Sequence, residues 1–255
     1  MLKKLIHYGC SFGVGNGVPH YVAGLPGDVA PHLDKISEKK IISQYNFKPQ
    51  EPTTCGKFLA ENLRLEYKKV AQNGASNEMI FRKVLQANLD DAFVLIGFTS
   101  YNRREGLTTR RENSHWHTWK MLGPGESAKY KDLVFDPWKK EYKPAIEQEL
   151  QIRTVIQIIY LQNYFRNKNV PYLMFNALWN GFDKPLTKEC KSLLKSVDQN
   201  NFFKLLGKFD ETQHGWCIRK GLSVSELDEH PNIQGQTQWG MELLPLAEKI
   251  INASR

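Results

Sequence analysis

Cysteine is scarce in this chain, and the few cysteines present are not arranged as pairs. There are four, and no two of them form the C-x-x-C spacing of a zinc site or the dense framework of a small secreted protein; they are Cys10, Cys55, Cys190 and Cys217. We therefore expect reduced thiols.

Long hydrophobic runs are also missing. The longest apolar stretches, such as residues 92–98, fall far short of the ~20 residues that a helix needs to span a bilayer. The first ten residues have the basic start of a signal peptide, but only two consecutive apolar residues precede His7, so they lack its hydrophobic region. These absences predict no membrane span and a cytoplasmic protein.

Size and charge favour a globular protein over a disordered one. With 255 residues, 41% of them hydrophobic, the chain can bury a sizeable core, and we expect one domain over residues 1–255 with an insertion at about 101–143. The net charge is +8, and this insertion supplies half of it, with ten Lys or Arg against six Asp or Glu. A role in solubility is enough to explain such a charge. If the protein has an anionic partner, we expect that partner to bind at this insertion.

Short apolar runs alternate with longer helical patterns, which predicts an α/β fold with a largely parallel sheet. Strands are predicted at residues 4–9, 65–71, 92–98 and 170–177. Thr53 or Thr54 is predicted to cap a helix, and further helices are predicted at 79–89 and 144–167. A last helix is predicted to close the chain at 238–251, where Pro245 is expected to kink or divide it.

A serine stands directly behind the first predicted strand. The segment from Gly9 to Gly13, Gly-Cys-Ser-Phe-Gly, matches the G-x-S-x-G elbow of α/β-hydrolases, but there the serine follows several strands and Ser11 follows one. Gly13, Gly15 and Gly17 are weak evidence for a nucleotide-binding loop, because no Lys-Ser or Lys-Thr follows them. An ordinary turn between strand and loop is the alternative.

The order of short motifs along the whole chain resembles the SGNH (GDSL-type) hydrolase family. Gly-x-Ser follows the first strand, Asn-Gly-Ala-Ser-Asn the second and Gly-x-Thr the third, and Asp-x-His-Pro precedes the last helix. The resemblance implies a flavodoxin-like three-layer α/β/α fold with a mostly parallel five-stranded sheet. Residues 160–177 additionally resemble SGNH-like proteins carried by tailed phages.

The resemblance implies a catalytic triad. Ser11 takes the position of the nucleophile, with Cys10 in place of the usual aspartate, and His230 takes the position of the general base. The family's acid stands three residues before its histidine; here Asp228, two residues before it, is the predicted acid, with Glu226 behind it. A fixed tautomer is all that this third member must provide.

An oxyanion hole is implied by the same comparison. Gly74 matches the glycine whose backbone N–H points at the oxyanion, whereas Thr99 stands where the family has an asparagine. Thr99 is a shorter donor, and Asn102 is a candidate substitute if its loop folds back.

The insertion is rich in aromatic and basic residues, and it predicts either a wall over the cleft or a small satellite core. Arg103, Trp116 and Trp119 are the predicted substrate-binding residues, since rings stack on sugars or acyl chains and arginines bind anions. His115 and His117 have no third ligand in register, so no metal is predicted, and no organic cofactor is required.

These observations together predict a serine hydrolase that cleaves a carboxylic ester through an acyl-enzyme. The expected substrate is an acyl or acetyl group on a carbohydrate or another polar small molecule. Nucleic acid is compatible with the charge but not favoured, and the sequence does not report the oligomeric state. The alternative is a catalytically weak or inactive protein on the same scaffold that binds an anionic polymer or a protein partner.

Overall fold

The computed structural model describes residues 2–15, 53–72, 74–101, 103–108, 115–120, 143–183, 185–224 and 229–254. For Ser11, Val14 and residues 104–108, 115–120 and 143–146 it describes the backbone but not the side chain. All statements below refer to these parts of the chain.

Five parallel strands form the main sheet, which confirms the predicted α/β class. In chain order they are β1 (Lys4–Tyr8), β2 (Glu66–Lys69), β3 (Ala92–Phe98), β6 (Tyr172–Asn176) and β7 (Phe202–Phe203). Their order across the sheet is β2-β1-β3-β6-β7, the flavodoxin-like order. A separate antiparallel pair, β4 (Arg103–Thr108) and β5 (His115–Lys120), lies within the predicted insertion.

Seven α-helices accompany these strands in the described residues. They are α1 (Ser11–Val14), α2 (Cys55–Asn62), α3 (Asn77–Leu85), α4 (Lys143–Asn167), α5 (Lys188–Leu194), α6 (Gln213–Arg219) and α7 (Ile233–Ala253). Thr54 caps α2, because its side chain accepts a hydrogen bond from the backbone N–H of Lys57.

Helices cover both faces of the sheet, as β6 shows. Successive side chains of a strand point to opposite faces. The ring of Tyr172 packs on Phe165 of α4, with 4.9 Å between centroids, and that of Phe175 packs on Trp239 of α7 at 5.9 Å. The molecule therefore has the predicted three layers, and β3, buried along its whole length, lies at the centre.

The last helix was predicted to begin at residue 238, with Pro245 kinking or dividing it. It begins at Ile233, earlier than expected, because the Asn232 side chain accepts a hydrogen bond from the N–H of Gly235 and caps it there. Pro245 lies inside the helix and does not divide it. Strand β7 and helices α5 and α6 were not predicted, since elements this short carry little periodic signal.

Candidate active site

The turn that carries Ser11 lies at the carboxyl end of β1, the second strand in the sheet order, between β2 and β3. β1 ends at Tyr8, and α1 begins at Ser11 after only Gly9 and the fully buried Cys10. This is the position that the sequence predicted for Ser11; its side chain lies outside the description.

Space, not backbone conformation, accounts for Gly13 in this turn. Neither Gly9 nor Gly13 has a positive φ. A Cβ on Gly13 would lie 2.9 Å from the Cβ of Ala71 and 3.2 Å from Cε1 of His7. Since real Cβ atoms rarely come so close to a neighbour, a larger residue at Gly13 would displace the turn or the imidazole beneath it.

His7 lies directly beneath the turn. Its Nδ1 is 3.3 Å from the Tyr67 hydroxyl, which is 2.8 Å from Oγ1 of Thr54, whereas its Nε2 is buried without a hydrogen-bond partner among the described residues. Burial, together with the charge of Lys69, lowers the pKa of His7 to about 3. This imidazole is therefore neutral at physiological pH and supports the turn from inside the protein.

The loop that follows β2 brings the second motif to the same edge of the sheet. The N–H of Gln72 donates to the carbonyl of Gly9 over 3.0 Å, which fixes this loop beside the turn of Ser11. Gly74 follows with a φ of 71°, a backbone conformation that favours glycine, and it has open space around it.

Thr99 follows the end of β3 and is held by a side chain that the sequence did not single out. Its N–H donates to Oδ1 of Asn77 over 2.9 Å, and its carbonyl accepts from Nδ2 of the same residue over 3.0 Å. Thr99 is 0% exposed, and within the described ranges its Oγ1 has no hydrogen-bond partner. Asn102, the other predicted donor after β3, lies outside the described residues.

Phe12, the neighbour of Ser11, touches the rings of two histidines from distant parts of the sequence. Its centroid is 5.1 Å from that of His230 and 5.3 Å from that of His214. The loop before α7 holds His230 in place, because its carbonyl accepts from the N–H of Val224 over 2.9 Å. Asp228 and Glu226, the predicted acids, lie outside the described residues.

His214 forms a pair with a carboxylate that the sequence analysis did not use. Its Nε2 is 2.8 Å from Oε2 of Glu229, and its backbone N–H donates to the carbonyl of Ala177, just beyond β6. Burial lowers the pKa of His214, with smaller contributions from His230 and Arg103, although the hydrogen bond and charge of Glu229 act to raise it. The balance favours a neutral imidazole at pH 7 that can accept a proton.

Gln236 of α7 connects the elements around the site. Its Nε2 donates to the carbonyl of Phe12 over 2.8 Å, and its Oε1 accepts from the N–H of Cys55 over 3.0 Å and from Nε2 of Gln213 over 3.2 Å. The side chain is fully buried. Gln236 therefore fixes the helix of Ser11 relative to the helix of His214. The predicted helix covered residues 238–251, so the sequence analysis did not place Gln236 on it or single it out.

The predicted substrate-binding residues lie in the hairpin of β4 and β5. Arg103 begins β4 and is half-buried. Trp116 and Trp119 belong to β5, where they are paired in register with Leu107 and Arg104, and their side chains lie outside the description.

Among the described residues, no three His, Cys, Asp or Glu side chains are grouped as metal ligands would be. No described helix has the length and apolarity to cross a membrane.

No family model and no curated protein matches this sequence. Solved structures that resemble the chain share little sequence with it. A carbohydrate esterase, whose active site is described as displaying divergent catalytic and non-catalytic binding functions, is 11% identical with a TM-score of 0.45, over 98% of this chain and 66% of that chain. Phospholipase A1 from Streptomyces albidoflavus NA297 is 11% identical with a TM-score of 0.44, over 98% of this chain and 100% of that one.

An acetyl xylan esterase from the rumen bacterium Butyrivibrio proteoclasticus is 14% identical with a TM-score of 0.42, over 98% of this chain and 64% of that one. This chain thus spans about two thirds of the length of the two carbohydrate-active esterases. Similarities this weak assign neither a family nor an activity, and none of the three is described as a phage protein.

Proposed function

We propose that this chain is a serine hydrolase of the SGNH type that cleaves a carboxylic ester through an acyl-enzyme. The observation that mainly supports the proposal is the contact between Phe12 and His230. The Phe12 ring lies 5.1 Å from that of His230, more than two hundred positions away, so the turn of Ser11 and a histidine loop meet at one edge of the sheet. A nucleophile and its base must come within hydrogen-bond reach, and the contact of Phe12, the neighbour of Ser11, with His230 supports this pairing.

In the proposed reaction, Ser11 attacks the ester carbonyl while His230 takes the hydroxyl proton. His230 then returns this proton to the leaving alcohol, and a water molecule hydrolyses the acyl-enzyme in a second half-reaction that uses the same base. Asp228 is the proposed acid that orients His230. The neutral His214, paired with Glu229 at 2.8 Å, is a second candidate for the base.

The proposed oxyanion hole consists of the backbone N–H groups of Ser11 and Gly74 and the side chain of Thr99 or Asn102. Gly74 suits this role because its loop is tied to Gly9 and open space surrounds it. Thr99 suits it less well, because its hydroxyl is fully buried. The loss of one oxyanion donor typically slows turnover by ~10² to 10³, so a protein that lacks this contact can still be an enzyme.

We propose an acyl or acetyl group on a carbohydrate or similar polar compound as the substrate. The hairpin after β3 supports this choice, since its first strand begins beside the end of β3 and its second strand carries Trp116 and Trp119. The buried hydroxyl of Thr99 favours the second candidate, a protein that binds such a compound without cleaving it.

The test compares the hydrolysis of p-nitrophenyl acetate by the wild type, Ser11→Ala and the control Ser192→Ala, an exposed serine on α5. We expect Ser11→Ala to reduce kcat/KM by about 10³-fold or more and the control to match the wild type. Reaction with a fluorophosphonate probe should also place a covalent adduct on Ser11. Turnover that survives Ser11→Ala would remove this serine from the mechanism, and no turnover by the wild type would favour the binding protein.

His230→Ala and His214→Ala distinguish the two candidate bases in the same assay. Loss of the base should reduce kcat/KM by about 10² to 10⁴-fold. If His214 is the base, kcat/KM should fall with acidification only below pH 6.5, because burial holds the pKa of this histidine below its usual value. Unchanged activity in His230→Ala would transfer the role to His214.

A further inference from the structure

Arg103 begins β4 at the carboxyl edge of the sheet. Its backbone N–H donates to the carbonyl of Ser100 over 3.2 Å, so a tight turn connects it to the end of β3. The strand that it begins packs against α3, whose first residue, Asn77, holds the backbone of Thr99. The position of this arginine is therefore set by the same loop that carries a proposed oxyanion donor.

The guanidinium of Arg103 has unused hydrogen-bonding capacity. Its Nη1 is buried and, among the residues that the structure describes, has no hydrogen-bond partner. A buried N–H without an acceptor is unfavourable, and more so on a charged group. The planar fork of a guanidinium matches the two oxygens of a carboxylate or phosphate, so the missing partner fits an anion.

The neighbours of Arg103 place this cation beside the proposed reaction. His214 of α6 lies beside the end of β6, the strand next to β3, because its backbone N–H donates to the carbonyl of Ala177. Its ring packs on Phe12 with 5.3 Å between centroids. The positive charge of Arg103 contributes to the lowered pKa of His214, after burial and the proximity of His230. The carboxylate of Glu229 is paired with His214 at 2.8 Å.

From this geometry we propose that Arg103 binds an anionic group of the substrate, a carboxylate or a phosphate, close to the ester that Ser11 attacks. The inference deepens the proposed function and depends on it: the preferred substrates are acylated acidic compounds, such as the acetyl esters of acidic sugars. The basic insertion, with ten Lys or Arg against six Asp or Glu, surrounds Arg103 in sequence and would attract them.

The experiment uses the full chain and pairs of acetyl esters that differ in charge. The anionic esters are 3- and 4-acetoxybenzoate, and their neutral counterparts are the methyl esters of the same acids. The measured quantity is the ratio of kcat/KM for the anionic ester to that for the neutral one. Phenyl phosphate, tested as a competitive inhibitor, examines phosphate separately from carboxylate.

In the wild type we expect a ratio above one that falls when NaCl is raised from about 50 to 500 mM, because salt screens a charge interaction. Arg103→Gln should lower the ratio about ten-fold or more, mainly through KM of the anionic ester, and Arg103→Lys should give an intermediate value. The matched control is Arg153→Gln, on the exposed surface of α4 and paired there with Glu149, and it should leave the ratio unchanged.

The outcomes separate this inference from the proposed function. Hydrolysis of both esters by the wild type, with a ratio that neither salt nor Arg103→Gln changes, would overturn the anion site and leave the esterase intact. The salt titration gives this answer even if Arg103→Gln does not fold. No hydrolysis, but binding of phenyl phosphate that Arg103→Gln abolishes and Arg153→Gln does not, would support the anion site and reject the esterase.

Discussion

At the scale of single residues, His7 shows how the proposed nucleophile turn is supported. A histidine in a strand is an ordinary sequence feature, yet this one is fully buried and close to three glycines, Gly9, Gly13 and Gly56. A Cβ on Gly56 would overlap its imidazole. The ring occupies the space that a side chain on Gly13 or Gly56 would need, so the turn is supported by a neutral, hydrogen-bonded group.

His7 should make the stability of the protein depend on pH. Its pKa is about 3 in the folded protein and near 6.5 in the unfolded chain, so between these values the unfolded state binds the extra proton. Stability is therefore retained above pH 6.5 and falls as pH drops toward 3, by up to about 1.4 kcal/mol per pH unit from this one group. Urea unfolding between pH 6 and 4 measures this slope.

The matched variant is His7→Gln, which retains a polar group toward Tyr67 but does not titrate. Carboxylates contribute equally to both proteins, so the difference between their slopes isolates His7, and we expect the variant to have the shallower slope. An NMR titration that showed His7 protonated at pH 5 in the folded wild type would contradict the prediction.

Residues that follow a strand were predictable one by one, whereas those that act through distant contacts were not. Ser11, Gly74 and Thr99 stand at the ends of strands in short motifs, and the structure places their backbones at one edge of the sheet. Gln236 and Phe12 are 224 positions apart, and no local pattern connects them. His214 was missed for the same reason, since it lies in α6 and its partner Glu229 lies in the loop before α7.

At the scale of elements, predictions succeeded where burial imposes a pattern. The apolar run of β3 matched its predicted limits because a strand buried on both faces has no polar positions. The start of α7 was misplaced because its first turn, with Gln234 and Gln236, lacks the apolar spacing that identifies a helix. There Gln236 occupies an inward position with a polar side chain that is satisfied by hydrogen bonds.

Pro245 lies inside α7, and its replacement should stabilise the protein. Proline lacks the N–H that would bond to the carbonyl of Met241, and its ring crowds that carbonyl. The helix nevertheless continues, held by the buried Leu243 and Ala247 on either side. We expect Pro245→Ala to raise the free energy of unfolding by about 1–3 kcal/mol, the helix-propensity difference less the entropy that proline removes from the unfolded chain.

Urea unfolding of Pro245→Ala measures this gain, and Glu242→Ala, an exposed position one turn earlier, is its control. The control should stay within about 0.5 kcal/mol of the wild type. A loss of stability in Pro245→Ala would mean that the packing of α7 requires the bend that a proline introduces.

At the scale of the whole molecule, the flavodoxin-like sheet was predictable because the resemblance to the SGNH family implies it, and the strand order agrees. The resemblance also implied that Ser11 and His230 meet, but the contacts of Phe12 and Gln236 that join the two ends of the chain left no local pattern. The reactivity of the cysteine thiols measures how firmly these contacts hold the folded protein together. All four cysteines are free and buried, and they lie in four different parts of the fold, from the nucleophile turn to α6.

Thiol labelling should therefore report the opening of the folded protein. Burial raises the pKa of Cys55 and of Cys217 to about 12, so at pH 7 only about one in 10⁵ of either is the reactive thiolate. We expect Ellman's reagent to label four thiols in denaturant and none rapidly in the native state. Rapid labelling of one thiol, lost in Cys10→Ala, would show that the turn beside Ser11 opens while the rest stays folded. It would then contradict a site held rigidly by His7 and Gln236.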